Sequence, residues 1–204
     1  MRRLSVIFLA LPLLASCAGG WSNPIIRDIY TADPSARVFN GTLYIYPSHD
    51  KDNAYTFDME DYHVFSTRNM KDFKDCGLAF DAIAETSWAH ANAWAPDCIE
   101  RNGKYYLYYP TDKKHIGVAV SDSPTGPFEY KGIILDPVSS GTNHHSIVKY
   151  KGKWYMFYHN ADLSMSRTPE AARACTVRRS VCVDRLYYNP DGTIKKVEMT
   201  SGIK

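Results

Sequence analysis

Asp33 is the residue of this 204-residue chain whose type and setting most directly suggest chemistry. It stands in Tyr30-Thr31-Ala32-Asp33-Pro34-Ser35, just ahead of an alternating, tyrosine-rich run. A carboxylate held at such a turn can act as a general base on a water molecule. The competing use of Asp before Pro is local, its oxygens accepting backbone amides to fix the turn. Aromatic side chains are the second group. Trp88, Trp94 and the paired tyrosines could stack on the flat face of a sugar, while sheet packing accounts equally for most of the tyrosines. Beyond Cys17, the cysteines are Cys76, Cys98, Cys175 and Cys182, with no CxxC pair and no Cys/His spacing of a zinc site, which argues against a thiolate-held metal. In an oxidising compartment four cysteines allow three connectivities. Cys175 and Cys182 are the pair closest in sequence, and burial as free thiols is the alternative.

The elements that must position these side chains are repeated hairpins. Asn40-Gly41, Asn102-Gly103 and Lys151-Gly152 open the runs NGTLYIYPSHD, NGKYYLYYPTD and KGKWYMFYHNAD. A Gly-containing tight turn between β-rich runs predicts a hairpin, and the strands before the turns are Ala36–Phe39, Cys98–Arg101 and Ser146–Tyr150. Tyr62–Ser66 and Ile116–Val120 predict further strands, each leading to a polar turn and an aromatic residue. Strands recurring in groups about 50 to 60 residues apart read as propeller blades of four antiparallel strands, although a β-sandwich alternates in the same way. Long helical periodicity is absent, and Pro169–Ala174 alone reads as a helical turn.

The first residues, MRRLSVIFLALPLLASC, place two arginines before an apolar run too short for a stable membrane span, then small residues before a cysteine. That is the layout of a secretory signal. Leu14-Ala15-Ser16-Cys17 also resembles a bacterial lipobox, whose cysteine becomes the lipid-bearing first residue of the mature protein. The expectation is a signal peptide with lipobox over residues 1–17, a tether over 18–22 and one domain over 23–204. The protein would be exported and lipid-anchored in the bacterial cell envelope, or periplasmic or secreted if the signal is simply cleaved. About 185 residues suffice for one domain with a sizeable core. The net charge is +2 with both signs mixed along the chain, so no basic stripe indicates nucleic acid, and a membrane enters only through the lipid.

Further motifs follow one another in order: Asn23-Pro24-Ile25, YTADPS around Asp33, the first hairpin, WAPD at Trp94–Asp97, SDSPTGPF at Ser121–Phe128, NHHSIVKYKGKWYMFYH at Asn143–His159 and a closing RSVCVDRLYYNPDGTI. With them the chain resembles the family 43 glycoside hydrolases over most of its mature length. The resemblance implies an all-β, five-bladed propeller that hydrolyses α-L-arabinofuranosyl or β-xylosyl units of plant cell-wall polysaccharide with inversion. It implies arabinoxylan, arabinan or xylan fragments as partners and Asp33 as the general base. By the same analogy Trp94 and Asp97 contact substrate from the second blade, Asp97 being otherwise a structural carboxylate satisfied by backbone amides. His144 would sit in the central channel, where it holds a calcium or sodium ion directly or through water. His145 takes that place if the register slips by one, and a polar core histidine is the plainer alternative.

Inversion needs two carboxyl groups about 6.5 to 9.5 Å apart, one to activate water and one to protonate the leaving oxygen. The family's second aspartate, in an Ile-Asp-Pro or Phe-Asp-Pro element of the third blade, and its acidic glutamate, opening the fourth, have no counterpart here. After SDSPTGPF the chain runs directly into EYKGIILDPVSSGTNHHSIV, which resembles the passage from a fourth blade into a fifth. An internal deletion of about two blades near residues 128–129 accounts for both departures. It predicts an incomplete propeller of about three blades, with exposed flanks and a tendency to associate. Asp136-Pro137 mimics the missing element by letters only, and Glu100 and Glu129 do not match the acid position. The function expected is a family 43 glycosidase weakened on its acid side. The alternative is a non-catalytic, lipid-anchored glycan-binding protein or an inactive fragment.

Overall fold

The computed structural model describes residues 23–112, 115–168 and 176–202. Three two-residue turns organise it, because both central residues of each have positive φ: Asn40 at 49° and Gly41 at 74°, Asn102 at 54° and Gly103 at 77°, Lys151 at 47° and Gly152 at 76°. Such turns match the right-handed twist of the strands they join. They close three hairpins, β1 (Tyr30–Phe39) with β2 (Thr42–Asp50), β5 (Asp97–Arg101) with β6 (Lys104–Thr111), and β9 (Ser146–Tyr150) with β10 (Lys153–Asn160).

The hairpins grow into antiparallel sheets. β3 (Asp61–Thr67) and β4 (Lys74–Asp81) extend the first, in the order β1-β2-β3-β4. β7 (His115–Ser121) and β8 (Glu129–Leu135) extend the second, in the order β5-β6-β7-β8. β11 (Ser180–Leu186) pairs with β10 to make the third, β11-β10-β9. The innermost strands β1, β5 and β9 touch in succession, which is the arrangement of propeller blades and not of a two-layer sandwich. The segments on either side of the expected fusion, β7 and β8, pair as neighbours from Val120↔Glu129 to Ile116↔Leu135, so the second sheet is complete across it.

Strict alternation along β6 supplies two cores at once. Tyr105, Leu107 and Tyr109 pack toward the first sheet with Tyr46, Tyr62, Val64 and Phe80. Tyr106 and Tyr108 pack toward the third with Ile116, Ile147, Met156, Tyr158 and Leu186. Each buried side chain of this size contributes about 1.5–3 kcal/mol of transfer free energy, so the two seams carry most of the fold. A short helix, α1 (Asp162–Arg167), follows β10, buries none of its residues and has no side-chain cap. The helical turn expected at Pro169–Ala174 lies outside the described residues, as do the signal, lipobox and tether. No helix among the described residues is long and apolar enough to cross a membrane. Cys76, Cys98 and Cys182 are free thiols, in keeping with the free-thiol reading, and Cys175 is outside the described residues. Burial pushes the Cys98 thiol up to about 12, so it is inert as a nucleophile.

Candidate active site

Asp33 sits where β1 breaks step. The β1–β2 register shifts between Ala32 and Ser35, and Asp33 adopts φ 49°, a left-handed conformation that Asp tolerates better than most residues. A bulge of this kind re-aims a side chain that regular alternation would have sent elsewhere. The Asp33 carboxylate Oδ2 accepts the Ser48 hydroxyl at 2.8 Å, and the Ser48 oxygen in turn accepts the Ala95 amide at 2.9 Å. One hydroxyl on β2 therefore fixes both the carboxylate and the loop that carries Trp94. The Trp94 backbone is held a second time, its carbonyl accepting the hydroxyl of buried Tyr62 at 3.1 Å.

These contacts enclose a cavity of about 250 Å³ between elements of all three sheets. Asp33, Asp50, Phe57 and Met59 line it from the first sheet and its connections, Trp94 and Ala95 from the loop before β5, and Asn143, His144, His159 and Arg179 from around the third. The volume lies below the usual range for drug-sized ligands, about 300–1,000 Å³, and suits one small ring. The wall is mixed in charge. Arg179 Nη1 donates to Thr142 Oγ1 at 2.9 Å, and the Thr142 carbonyl lies 2.9 Å from His159 Nε2. Burial holds the His159 imidazole below its ordinary pKa, which favours the neutral ring with its proton on Nε2.

Of the residues singled out from the sequence, Asp33, Trp94 and His144 meet at this cavity and Asp97 does not. Asp97 is 4% exposed and its oxygens are engaged: Oδ1 accepts from Arg37 Nη2, from Ser35 Oγ at 2.9 Å and from the Cys98 amide at 2.9 Å, while Oδ2 accepts the Ile147 amide at 3.3 Å. Those donors belong to β1, β5 and β9, so the expectation that Asp97 contacts substrate is corrected. The carboxylate joins the three innermost strands. The alternative register for the channel histidine also fails, because His144 is exposed at the cavity while His145 is buried against Tyr108, 6.1 Å between ring centroids. Neither His145 ring nitrogen makes a hydrogen bond, and burial, with the neighbouring His144 adding to it, pushes the imidazole down to about 3. It is a neutral core residue.

Sequence reasoning passed over Asp50, Phe57, Met59, His159 and Arg179. Asp50 and His159 end the two runs PSHD and FYH, where a polar residue closing an apolar strand was a usable signal. The other three lie in connections with no periodicity. Asp33 and Asp50 are the carboxylates on the cavity wall, and no glutamate is among its lining residues. Glu129 pairs with Lys131 at 2.6 Å, Asp136 with Lys196 at 2.5 Å, and Glu100 accepts the Gly103 amide at 2.7 Å, all away from the cavity.

Residues 21–140 match the family model of glycosyl hydrolases family 43. A xylosidase/arabinosidase 43A of Humicola insolens is 49% identical over 119 residues, which is 52% of this chain and 36% of that protein. A β-xylosidase of Xylanibacter ruminicola is 47% identical over 113 residues, 48% of this chain and 35% of that one. The match thus spans about a third of the length of these relatives. Among solved structures, a family 43 β-xylosidase/α-arabinofuranosidase from a compost metagenome, described with xylotriose in a calcium-free form, is 27% identical with a TM-score of 0.50. That similarity covers 87% of this chain and 97% of that one. A structure from Bifidobacterium bifidum, 21% identical over 82% of this chain and 51% of its own, shares the fold with a TM-score of 0.58. The fold is accordingly that of the family's propellers, here incomplete with three sheets.

Proposed function

The chain belongs to family 43 of the glycosyl hydrolases, and from that premise we propose that its cavity receives one α-L-arabinofuranosyl or β-xylosyl unit of a plant cell-wall polysaccharide. Relatives named as xylosidases and arabinosidases support the substrate class, and a cavity of about 250 Å³ supports a single pentose ring. The observation that carries the proposal is Asp33, lifted out of register on a bulge and steadied by Ser48 where Trp94, His144 and Arg179 converge. In an inverting reaction Asp33 takes a proton from the water that attacks the anomeric carbon, and the Trp94 ring is the apolar surface against which the sugar lies. Arg179 donates to its hydroxyls, and His159, whose Nε2 proton is taken by the Thr142 carbonyl, borders them.

The departing oxygen needs a proton as well, and Asp50 is the other carboxyl of the wall. Properly placed acid help is commonly worth 10²- to 10⁴-fold, so a site without the family's glutamate turns over natural linkages poorly and activated ones better. Nitrophenyl α-L-arabinofuranoside and β-xyloside should therefore retain more of the full-length family rate than xylobiose does, and Asp33→Asn should abolish both. Hydrolysis by Asp33→Asn at the unmodified rate, or equal loss on both substrate types, would overturn the proposal. Retention of arabinoxylan without release of reducing sugar would mark the chain as a glycan-binding protein.

A calcium or sodium ion at His144 forms no part of this mechanism. The oxygens beside that ring are engaged, Asn143 Oδ1 with the His144 amide at 2.9 Å and Thr142 Oγ1 with Arg179, and a guanidinium shares the wall. A hard cation wants six to eight oxygens and no neighbouring positive charge, so the residues present do not suit it. We also propose export through residues 1–17 with the lipid on Cys17, resting on the arginines, the short apolar run and the Leu-Ala-Ser-Cys tetrapeptide.

A further inference from the structure

A second group of reactive side chains stands apart from the sugar cavity, across β2 and β3. Tyr62 and Val64 pack into the seam with the second sheet, so Asp61 and His63, alternate residues of the same strand, project from its opposite face. Continuing the β2–β3 register, which pairs Ile45 with Phe65, sets residue 49 opposite residue 61. His49, Asp61 and His63 consequently converge, with one ligand atom from each lying within 4.8 Å of the other two. His49 Nδ1 is 2.7 Å from Asp61 Oδ1, and the two imidazoles meet edge to face with centroids 4.9 Å apart.

We propose that these three side chains bind a divalent first-row transition ion, of which zinc is the working example. Two imidazoles and one carboxylate form a donor set that suits zinc, nickel or copper and not calcium or magnesium, and three protein ligands leave a position for water. The cluster is shielded without being sealed, its side chains 21%, 22% and 18% exposed. His63 Nδ1 is buried with no hydrogen-bond partner, and the Asp75 carboxylate stands 3.6 Å away, just out of bonding range. An orphaned ring nitrogen beside an outer carboxylate is the arrangement in which one imidazole nitrogen ligates and the other donates outward. Tetrahedral zinc holds its ligand atoms about 3.3 Å apart, so loading opens the His49–Asp61 pair from 2.7 Å, draws in the ligand atoms that stand farther apart, and exchanges the His49–Asp61 hydrogen bond for the ion.

The site spans a gap in the sheet. Regular β2–β3 pairing runs from Leu43↔Thr67 to Ile45↔Phe65 and resumes only at the bridge between Asp50 and Met59. An ion at the cluster pins the strands where main-chain bonds do not, directly before two residues that line the cavity.

The test uses the full chain, stripped with chelator and titrated with zinc chloride by calorimetry and with cobalt(II) by absorption. One equivalent should bind and raise the melting temperature, and the cobalt adduct should show visible ligand-field bands without thiolate charge transfer. His49→Gln and His63→Gln should each weaken binding at least tenfold with an unchanged circular dichroism spectrum, and His144→Ala should leave it intact. If a histidine variant misfolds, near-isosteric Asp61→Asn decides with the same tenfold loss expected. Absence of stoichiometric binding, thiolate bands in the cobalt adduct, or full affinity in the folded variants would overturn the proposal.

Discussion

Strands β6 and β10 are close copies in letters, KYYLYYPT and KWYMFYHN, both following a Gly-containing turn and both central to a hairpin. Their surroundings differ. Along β6 every residue after Lys104 is buried, whereas along β10 only Met156 and Tyr158 are. At the matching position Tyr108 is fully covered while Phe157 is 39% exposed. The cause is a neighbour on each side of the second sheet against one neighbour for the third. The face of the third sheet that turns away from the second carries Val148, Tyr150, Phe157 and Val181, all exposed. The same alternating pattern therefore makes a core on one sheet and a sticky flank on the other.

The comparison is broken most directly by truncation at the matching positions. Tyr108→Ala should cost about 4 kcal/mol, from lost packing and the lost 2.7 Å bond to the Tyr188 hydroxyl, while Phe157→Ala should cost under about 1 kcal/mol in urea unfolding. Phe157→Lys should leave stability alone and shrink the species seen by sedimentation at high concentration. Comparable costs at the two positions would show that the outer face is covered in solution.

A smaller effect is expected where one carboxylate joins all three sheets. Asp97→Ala leaves the Ser35 hydroxyl and the Cys98 and Ile147 amides without their acceptor, and should lower unfolding free energy by about 3 kcal/mol. A loss below 1 kcal/mol would mean that water replaces the carboxylate.

The same seam is sharpened further through pH. The His145 imidazole is held at about 3 against an ordinary value of 6.5, so between those values the unfolded chain binds a proton that the folded chain refuses. Its contribution is complete above pH 6.5 and declines as pH falls toward 3, by up to about 1.4 kcal/mol per pH unit. His145→Phe should flatten that part of the stability profile, measured by urea midpoints near pH 7 and near pH 4. An unchanged slope would place the proton elsewhere.

The hairpins, their turns, the three sheets and Asp33 were legible in the sequence because each depends on neighbours along the chain, through Gly turns, period-two alternation and a motif around one carboxylate. What was not legible depends on partners far off. The WAPD letters suggest a pocket residue, but the donors that claim Asp97 come from Ser35, Arg37 and Ile147 on other sheets. His49, Asp61 and His63 read as ordinary strand residues until the register brings them together. Helix α1, six residues long, is too short for a periodic signal to register. The exposure of Phe157 follows from a missing neighbour, which leaves no mark on the strand itself.

The reach of Asp97 also bears on the order in which the molecule assembles. Hairpins join residues a few positions apart, while the side-chain and amide donors that Asp97 gathers lie 62, 60 and 50 residues away. Closing such loops costs chain entropy that a single contact cannot offset, so these bonds form late, once the sheets have docked. Interactions absent from the transition state slow unfolding without hastening folding. This one carboxylate therefore governs how long the assembled molecule lasts more than how quickly it is reached.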